Sequence, residues 1–320
     1  MSRFSYILKK IKSADFNYSP FKHIYIENFF SAEDFNAIQN CPEISISKQT
    51  SDDDLISELY NHGYNIIEFP GCVTNVKEYI KWHRNKNKTD RTHSACGSFG
   101  MVFRLYEKKS KILIDLNEFF LSDEFNSVIA DRFAIDLNLC KIDSGIQKYL
   151  DGYEISPHPD IRKKASTYMV NINPNNISNK EDHHTHYLRL KDSKKYVSEF
   201  WKNNLKYDRD WLPWDWCETI KQQTKNNSIV IFSPSNDTIH GVKANYNHLK
   251  AQRTQIYGNI WYLKQESSPL KWEQLQIPSN QRIPFNLSKN IDDRIPMRLK
   301  SIIKKIFKRN INKAGKTNMN

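Results

Sequence analysis

Residues 149–174 read YLDGYEISPHPDIRKKASTYMVNINP, and the reading of this stretch decides the fold. Two alternating segments, YEISPH and ASTYMVNIN, flank a polar link, with Asp151-Gly152 ahead of them and Asn175-Asn176 behind. Short period-two runs bounded by turn-formers read as strands. The same texture continues outward in GIQKYL, THYLRL, SIVIFSP, HGVKA and RTQIYGNIWY, with Pro234-Ser235-Asn236 as a further turn. Many short strands of this kind predict an antiparallel barrel or jelly roll over residues 142–263.

The polar link carries His158 and Asp160. Residues i and i+2 of an extended segment point to the same side, and Pro159 biases His158 toward an extended conformation. A third candidate, His240, follows the apolar strand and polar turn NNSIVIFSPSNDTI, which can set it across a barrel from the first pair. Two imidazoles and one carboxylate bind a divalent iron on one face and leave the opposite face open. Arg253, on the following strand, can make a bidentate contact to a dicarboxylate whose other end chelates the metal, which points to 2-oxoglutarate. Lys250 is the alternative for that contact; Arg253 is preferred because QRTQIYGNIWY continues as a strand, whereas Lys250 lies in the polar turn NYNHLKAQ.

With these motifs in place, residues 149–174 followed by NNSIVIFSPSNDTIHGVKANYNHLKAQRTQIYGNIWY (226–262) resemble the Fe(II)/2-oxoglutarate-dependent dioxygenases, in particular the prolyl 4-hydroxylase-like branch. The resemblance implies a double-stranded β-helix, with His158, Asp160 and His240 as ligands of Fe(2+) and Arg253 as partner of the distal 2-oxoglutarate carboxylate. It also implies that Tyr149 lines the co-substrate pocket and that Asn171 stands where the family often has a tyrosine. The implied activity is hydroxylation of an unactivated C–H bond of a peptide side chain, amino acid or glycan-type small molecule. It uses O2, releases succinate and CO2, and can draw on ascorbate as a sustaining reductant. Where the family has a glycine-rich segment, this chain has NKEDHHTHYLRL; His183, His184 and His186 are read there as entrance or surface residues, since three neighbours on one strand do not readily face one ion.

The N-terminal third is mixed, making the fold class α+β. FKHIYIENFFSAEDFNAIQNCP reads as a strand and then a helix capped by Ser31, with Asp34 as its capping-box partner. Further helices are expected at about 51–60, 73–86 and 116–132, the last with an internal start at Ser122. The expected organisation is a basic segment 1–20, one catalytic domain 21–290 and a basic tail 291–320. Within the domain, 21–141 is the mixed part, 142–263 the β-helix core and about 191–227 an insertion. That insertion carries Trp201, Trp211, Trp214 and Trp216 and is a candidate lid. Trp211, Trp214, Trp216 and Arg162 are the candidate substrate contacts.

The net charge of +12 sits in the termini. Arg3, Lys9, Lys10 and Lys12 stand in residues 1–12 without an acid, and residues 294–320 hold only basic charges, leaving the body near neutral. Phe4, Ile7, Leu8 and Ile11, and later Ile295, Leu299, Ile302, Ile303 and Ile306, lie at helical spacing among those bases. Each stripe either packs on the body or on the other stripe, or attaches to an anionic membrane or a polyanionic partner. A mean hydropathy of −0.72 and the lack of any run near the roughly 20 apolar residues of a membrane span lead to the expectation of a cytoplasmic protein, peripheral to the inner face of a membrane if the tails attach there. Five scattered cysteines (Cys41, Cys72, Cys96, Cys140, Cys217) without a C-x-x-C pair read as reduced core residues.

Two other function classes are weighed. A nucleic-acid oxidative demethylase would suit the positive charge, but the charge avoids the body, and Asn259 stands where that branch carries a second arginine. A catalytically silent jelly-roll module held at a membrane surface is disfavoured by the completeness of the metal triad and Arg253.

Overall fold

In the computed structural model of the chain, residues 2–68, 71–85 and 99–264 are described. The expected basic helix within 291–320, and Cys96, lie outside the described residues.

The N-terminal part runs α1 (Tyr6–Ser13), β1 (Phe16–Asn17), β2 (His23–Glu27), α2 (Ala32–Gln39), α3 (Asp52–Asn61), β3 (Tyr64–Ile66), α4 (Val76–Asn85), β4 (Val102–Leu105), α5 (Lys111–Leu121) and α6 (Asp123–Phe133). Ser122 divides α5 from α6: its hydroxyl accepts from Phe125 N at 3.2 Å, an N-cap that starts a new helix. Ser31 caps α2 by accepting from Asp34 N at 3.1 Å. The reciprocal half of the expected capping box is made differently: the Tyr6 hydroxyl accepts the Ser31 N–H, while the Asp34 carboxylate binds Arg3 and Tyr6. Two elements distant in sequence are thereby tied at one cap. Phe4, Ile7, Leu8 and Ile11 are buried, so the first basic stripe packs on the body.

From residue 140 onward the strands take over: β5 (Cys140–Tyr149), β6 (Glu154–His158), β7 (Lys164–Asn171), β8 (Thr185–Leu190), β9 (Cys217–Gln222), β10 (Ser228–Phe232), β11 (His240–Lys243) and β12 (Arg253–Tyr262), with α7 (Tyr196–Asn203) between β8 and β9. Their pairing is antiparallel throughout. The larger sheet runs β1-β2-β10-β7-β12-β5-β4-β3 and the smaller β6-β11-β8-β9. The last eight strands thus form a jelly-roll core of the double-stranded β-helix type, and β2 and β4 extend its larger sheet on either side. The excursion after β8 is shorter than the sequence suggests, because Cys217–Gln222 pairs with β8 as a strand of the smaller sheet.

The larger sheet is buried on both faces, which explains why SIVIF reads as a continuous apolar run. Ile229 and Ile231 join the aromatic layer of Phe4, Phe29, Phe119, Phe120 and Phe125, while Val230 and Phe232 turn to the other side with Met169 and Tyr187. Each such buried ring contributes about 1.5–3 kcal/mol. One side chain of β12 is missing for a reason: a Cβ on Gly258 would lie 2.0 Å from the ring of Tyr168 opposite it. On the opposite face β12 turns Arg253, Gln255, Tyr257 and Asn259, every second residue, toward the space between the sheets. Polar side chains in buried positions are the informative departure from the apolar pattern, and they locate the site.

Candidate active site

His158 ends β6 and His240 begins β11, and the two are direct cross-strand partners. Their ring centroids stand 4.5 Å apart. Asp160 joins them: its carboxylate oxygens lie 3.8 Å from His158 Nε2 and 3.9 Å from His240 Nε2. The three offered ligand atoms all lie within 4.8 Å of one another. Each Nδ1 faces the backbone carbonyl two residues earlier, Ser156 at 2.8 Å and Thr238 at 3.0 Å. A carbonyl only accepts, so Nδ1 carries the proton and the lone pair of Nε2 turns inward, the tautomer a metal requires. Burial, then the neighbouring His240, lowers His158 to about 3, keeping it neutral. Burial, the largest single influence, would raise the Asp160 pKa, but Lys164, His240 and His158 together outweigh it and the carboxylate stays ionised.

Asp160 is held from both sides. Lys164 Nζ donates to Oδ1 at 2.6 Å and to the Tyr257 hydroxyl at 2.7 Å; the Thr167 hydroxyl donates to Oδ2 at 2.6 Å. Sequence reasoning missed Lys164 and Thr167. Thr167 had a signal in the inward series of the strand ASTYMVNIN, which begins beside the polar link, whereas Lys164, just ahead of that run, had none. The donor set, two neutral imidazoles and a carboxylate on one side of a buried cleft, fits divalent iron.

Arg253 is buried at the start of β12. Its Nη2 donates to Thr185 Oγ1 and Gln255 Oε1, both at 2.9 Å, and its guanidinium carbon stands 4.6 Å from the centre of the Tyr149 ring. Its Nη1 is buried and has no hydrogen-bond partner among the described residues. Asn171 reaches Arg253 only through Gln255, which donates to it at 2.6 Å. Lys250 is exposed in the turn. Thr185 lies two residues along β8 from Tyr187, the partner of His240, which puts the arginine's anchor about 7 Å from the metal-facing end.

The histidine cluster divides between the two faces of β8. His183 precedes Thr185 and Tyr187 in the inward series, its ring edge-on to Tyr246 with centroids 4.7 Å apart, and its Nδ1 is buried without a partner among the described residues. His184 faces the Asn179 carbonyl. His186 is on the outer face, with Thr219 Oγ1 at 3.0 Å and its ring against Trp214.

The excursion 191–216 builds a cluster of its own, in which Val197, Trp201 and Leu212 pack on Leu188 and Leu190, with Trp214 and Trp216 at its margin. Trp214 lies over Gly241 and donates to Glu154 at 2.8 Å, on the outer face of the smaller sheet. Trp216 stacks under Lys194. Trp211 alone of the three packs on the cluster of Tyr149, Tyr153 and Ile155. Arg162 is engaged by the excursion's backbone: its Nε donates to Tyr207 O at 2.9 Å and its Nη2 to Trp201 O at 2.6 Å.

A second cluster, Asp52, His83 and His248, also brings ligand atoms within 4.8 Å of one another. Its hydrogen bonds favour an ion-paired clamp. The Asp151 N–H donates to His248 Nδ1, so the His248 proton sits on Nε2 and points at Asp52 Oδ1, 2.8 Å away. His83 contacts Asp52 through Nδ1 at 2.9 Å and Asp151 through Nε2 at 3.3 Å, an arrangement suited to an imidazolium.

No model of a protein family matches the sequence, and no curated protein matches it. Among solved structures, the chain is similar to a prolyl-4-hydroxylase from Pseudomonas putida at 9% identity and a TM-score of 0.39, covering 81% of this chain and 98% of that one. It is also similar to a Trichoplax adhaerens prolyl hydroxylase in complex with a hypoxia-inducible-factor peptide fragment (12%, TM-score 0.33, 74% and 96% covered). A third is an oxidoreductase of the 2OG-Fe(II) oxygenase family from Burkholderia pseudomallei (8%, TM-score 0.29, 67% and 92% covered).

Proposed function

We propose that this chain is an Fe(II)- and 2-oxoglutarate-dependent dioxygenase that hydroxylates a C–H bond of an amino acid, peptide side chain or glycan-type small molecule. One observation carries the reading. A buried triad with both Nε2 lone pairs turned inward shares its barrel with a buried arginine whose Nη1 lacks a partner among the described residues, and the arginine's anchor lies about 7 Å from the metal-facing end of β8, a span that suits a five-carbon dicarboxylate. His158, Asp160 and His240 would hold the metal; Arg253, with Thr185 beside it, would take the distal carboxylate of 2-oxoglutarate.

Conversion of a C–H bond to C–OH, with 2-oxoglutarate leaving as succinate and CO2, is the chemistry that Fe(II), 2-oxoglutarate and O2 supply together when bound. The chain's own residues set the conditions for it. Ser156 and Thr238 fix the imidazole tautomers through their carbonyls, and Lys164 and Thr167 orient the Asp160 carboxylate. Tyr149, under the guanidinium, and Tyr246, whose hydroxyl accepts the Arg253 N–H at 2.9 Å, keep Arg253 in one pose and water away from it.

The test is turnover of carboxyl-labelled 2-oxoglutarate by the full chain with Fe(II) and O2. Slow uncoupled release of labelled CO2 and succinate is expected, and none from His240→Ala. Failure of the wild-type chain both to bind and to decarboxylate 2-oxoglutarate would leave a silent binding module as the better description.

A further inference from the structure

The excursion is stitched to the segment that carries two of the triad residues. Arg162 N–H donates to Asp208 Oδ1 at 2.8 Å, Arg162 Nε donates to Tyr207 O, and Leu212 N–H donates to the Pro157 carbonyl at 2.7 Å. Residues 207–212 therefore run alongside 157–162, and Arg209 lies between those anchors, near the segment that carries His158 and Asp160. The Asp160 carboxylate is among the charges that act on it.

Arg209 is only 7% exposed. Its Nε is buried without a hydrogen-bond partner, and among the described residues its side chain has no hydrogen bond or ion pair. Asp208, the adjacent acid, accepts the backbone N–H groups of Arg162 and Arg209 through Oδ1; its Oδ2 is also unpartnered, and the two side chains form no ion pair. Nearby, the Asp160 carboxylate is already matched by Lys164 at 2.6 Å, and Arg162 adds a further positive charge. A guanidinium this buried that forms no ion pair is costly. The remedy it calls for is an anion, for which the planar fork of arginine is the best-suited side chain. Arg253, on β12, faces the co-substrate pocket, so Arg209 stands free for a different molecule.

We propose that Arg209 recognises a carboxylate or phosphate group on the molecule oxidised at the metal centre, so that the substrate is an anion held by the excursion at the edge of the triad. This rests on the dioxygenase reading and narrows it to acid-bearing substrates.

The test uses the full chain loaded with Co(II), with N-oxalylglycine as a non-reacting stand-in for 2-oxoglutarate. Inorganic phosphate and acetate are titrated separately by calorimetry. At least one is expected to bind, the tighter of the two identifying the kind of anion. Arg209→Ala should weaken that binding about tenfold or more, and Arg209→Lys should recover part of it. N-oxalylglycine affinity should be unchanged in both variants, which shows that they remain folded. If neither probe binds the wild-type chain, or if both bind Arg209→Ala equally well while N-oxalylglycine still binds, the anion assignment is overturned and the dioxygenase reading stands. If N-oxalylglycine does not bind the wild-type chain, both fall together.

Discussion

His83 offers a quantitative test of how the helical part is fastened to the barrel. It lies on α4, its side chain 13% exposed, between Asp52 at the start of α3 and Asp151 in the turn after β5. Burial alone would lower its pKa, but its hydrogen bonds to Asp151 and Asp52, with the charges of both carboxylates, outweigh it and carry the pKa up to about 9, from 6.5. A folded-state pKa above the unfolded one means that the protonated form stabilises the fold. The contribution is complete below pH 6.5 and is lost as pH rises through 9. At roughly 1.4 kcal/mol for each pH unit, the gap amounts to about 3 kcal/mol. The perturbation is His83→Gln and the assay is urea unfolding of both proteins from pH 6 to 10. Comparing the two proteins matters because Lys148, which burial lowers to about 7, works in the opposite direction: its folded form is neutral above pH 7 while the unfolded chain stays charged, so its penalty fades as pH rises. The stability difference between wild type and His83→Gln cancels that effect and should shrink by about 3 kcal/mol across the range. A difference that stays constant with pH would refute the imidazolium and with it the clamp.

The remaining expectations concern the site, the sheet and the tail. Asp160→Asn should abolish Co(II) binding and, by leaving Lys164 buried without its counter-charge, lower stability by about 3–5 kcal/mol; adding Lys164→Met should restore stability but not metal binding, as thermal melts with and without Co(II) would show. Arg253→Ala should weaken 2-oxoglutarate binding by about 10- to 100-fold, the loss of a charge-assisted hydrogen bond of roughly 1.5–3 kcal/mol, whereas Lys250→Ala should leave it unchanged; the reverse pattern in calorimetry would move the co-substrate contact to the turn. Gly258→Ala should cost about 1–3 kcal/mol in chemical denaturation, because its methyl group meets the Tyr168 ring opposite. Co-sedimentation of the full chain with anionic vesicles and its loss on deleting residues 294–320 would establish a membrane contact through the basic tail; absent or unchanged sedimentation would remove the case for it.

Much of this site was legible because its logic is local. The H-P-D link places two candidate ligands on one side of an extended segment, and the alternation of RTQIYGNIWY already puts Arg253 in register with a buried face. Lys164 was not legible, since a lysine in DIRKKAS reads as solvated surface until the chain turns back onto β7 and buries it. Arg209 in KYDRDW carried the same bland signal. Trp214 shows the opposite failure: an aromatic in an excursion suggested a site mouth, but the outward face of the smaller sheet needed covering, and the sequence does not say on which side of a sheet an excursion lands. The extent of the excursion was misjudged for a related reason, because CETIKQ alternates too weakly to declare itself a strand without its partner β8.

By itself, then, the sequence determined the succession of short strands, the caps that start α2 and α6, the local spacing of His158 and Asp160, and the concentration of positive charge in the termini. These follow from backbone periodicity and side-chain chemistry over a few residues. Only the tertiary structure decided that His240 faces His158, that Lys164 answers Asp160, that Asp52, His83, Asp151 and His248 share one network, and that the Arg209 side chain is buried near Asp160 with no hydrogen bond or ion pair among the described residues. Those depend on strand register and on which face of a sheet is covered, and both are set by long-range pairing that brings distant residues within hydrogen-bond range.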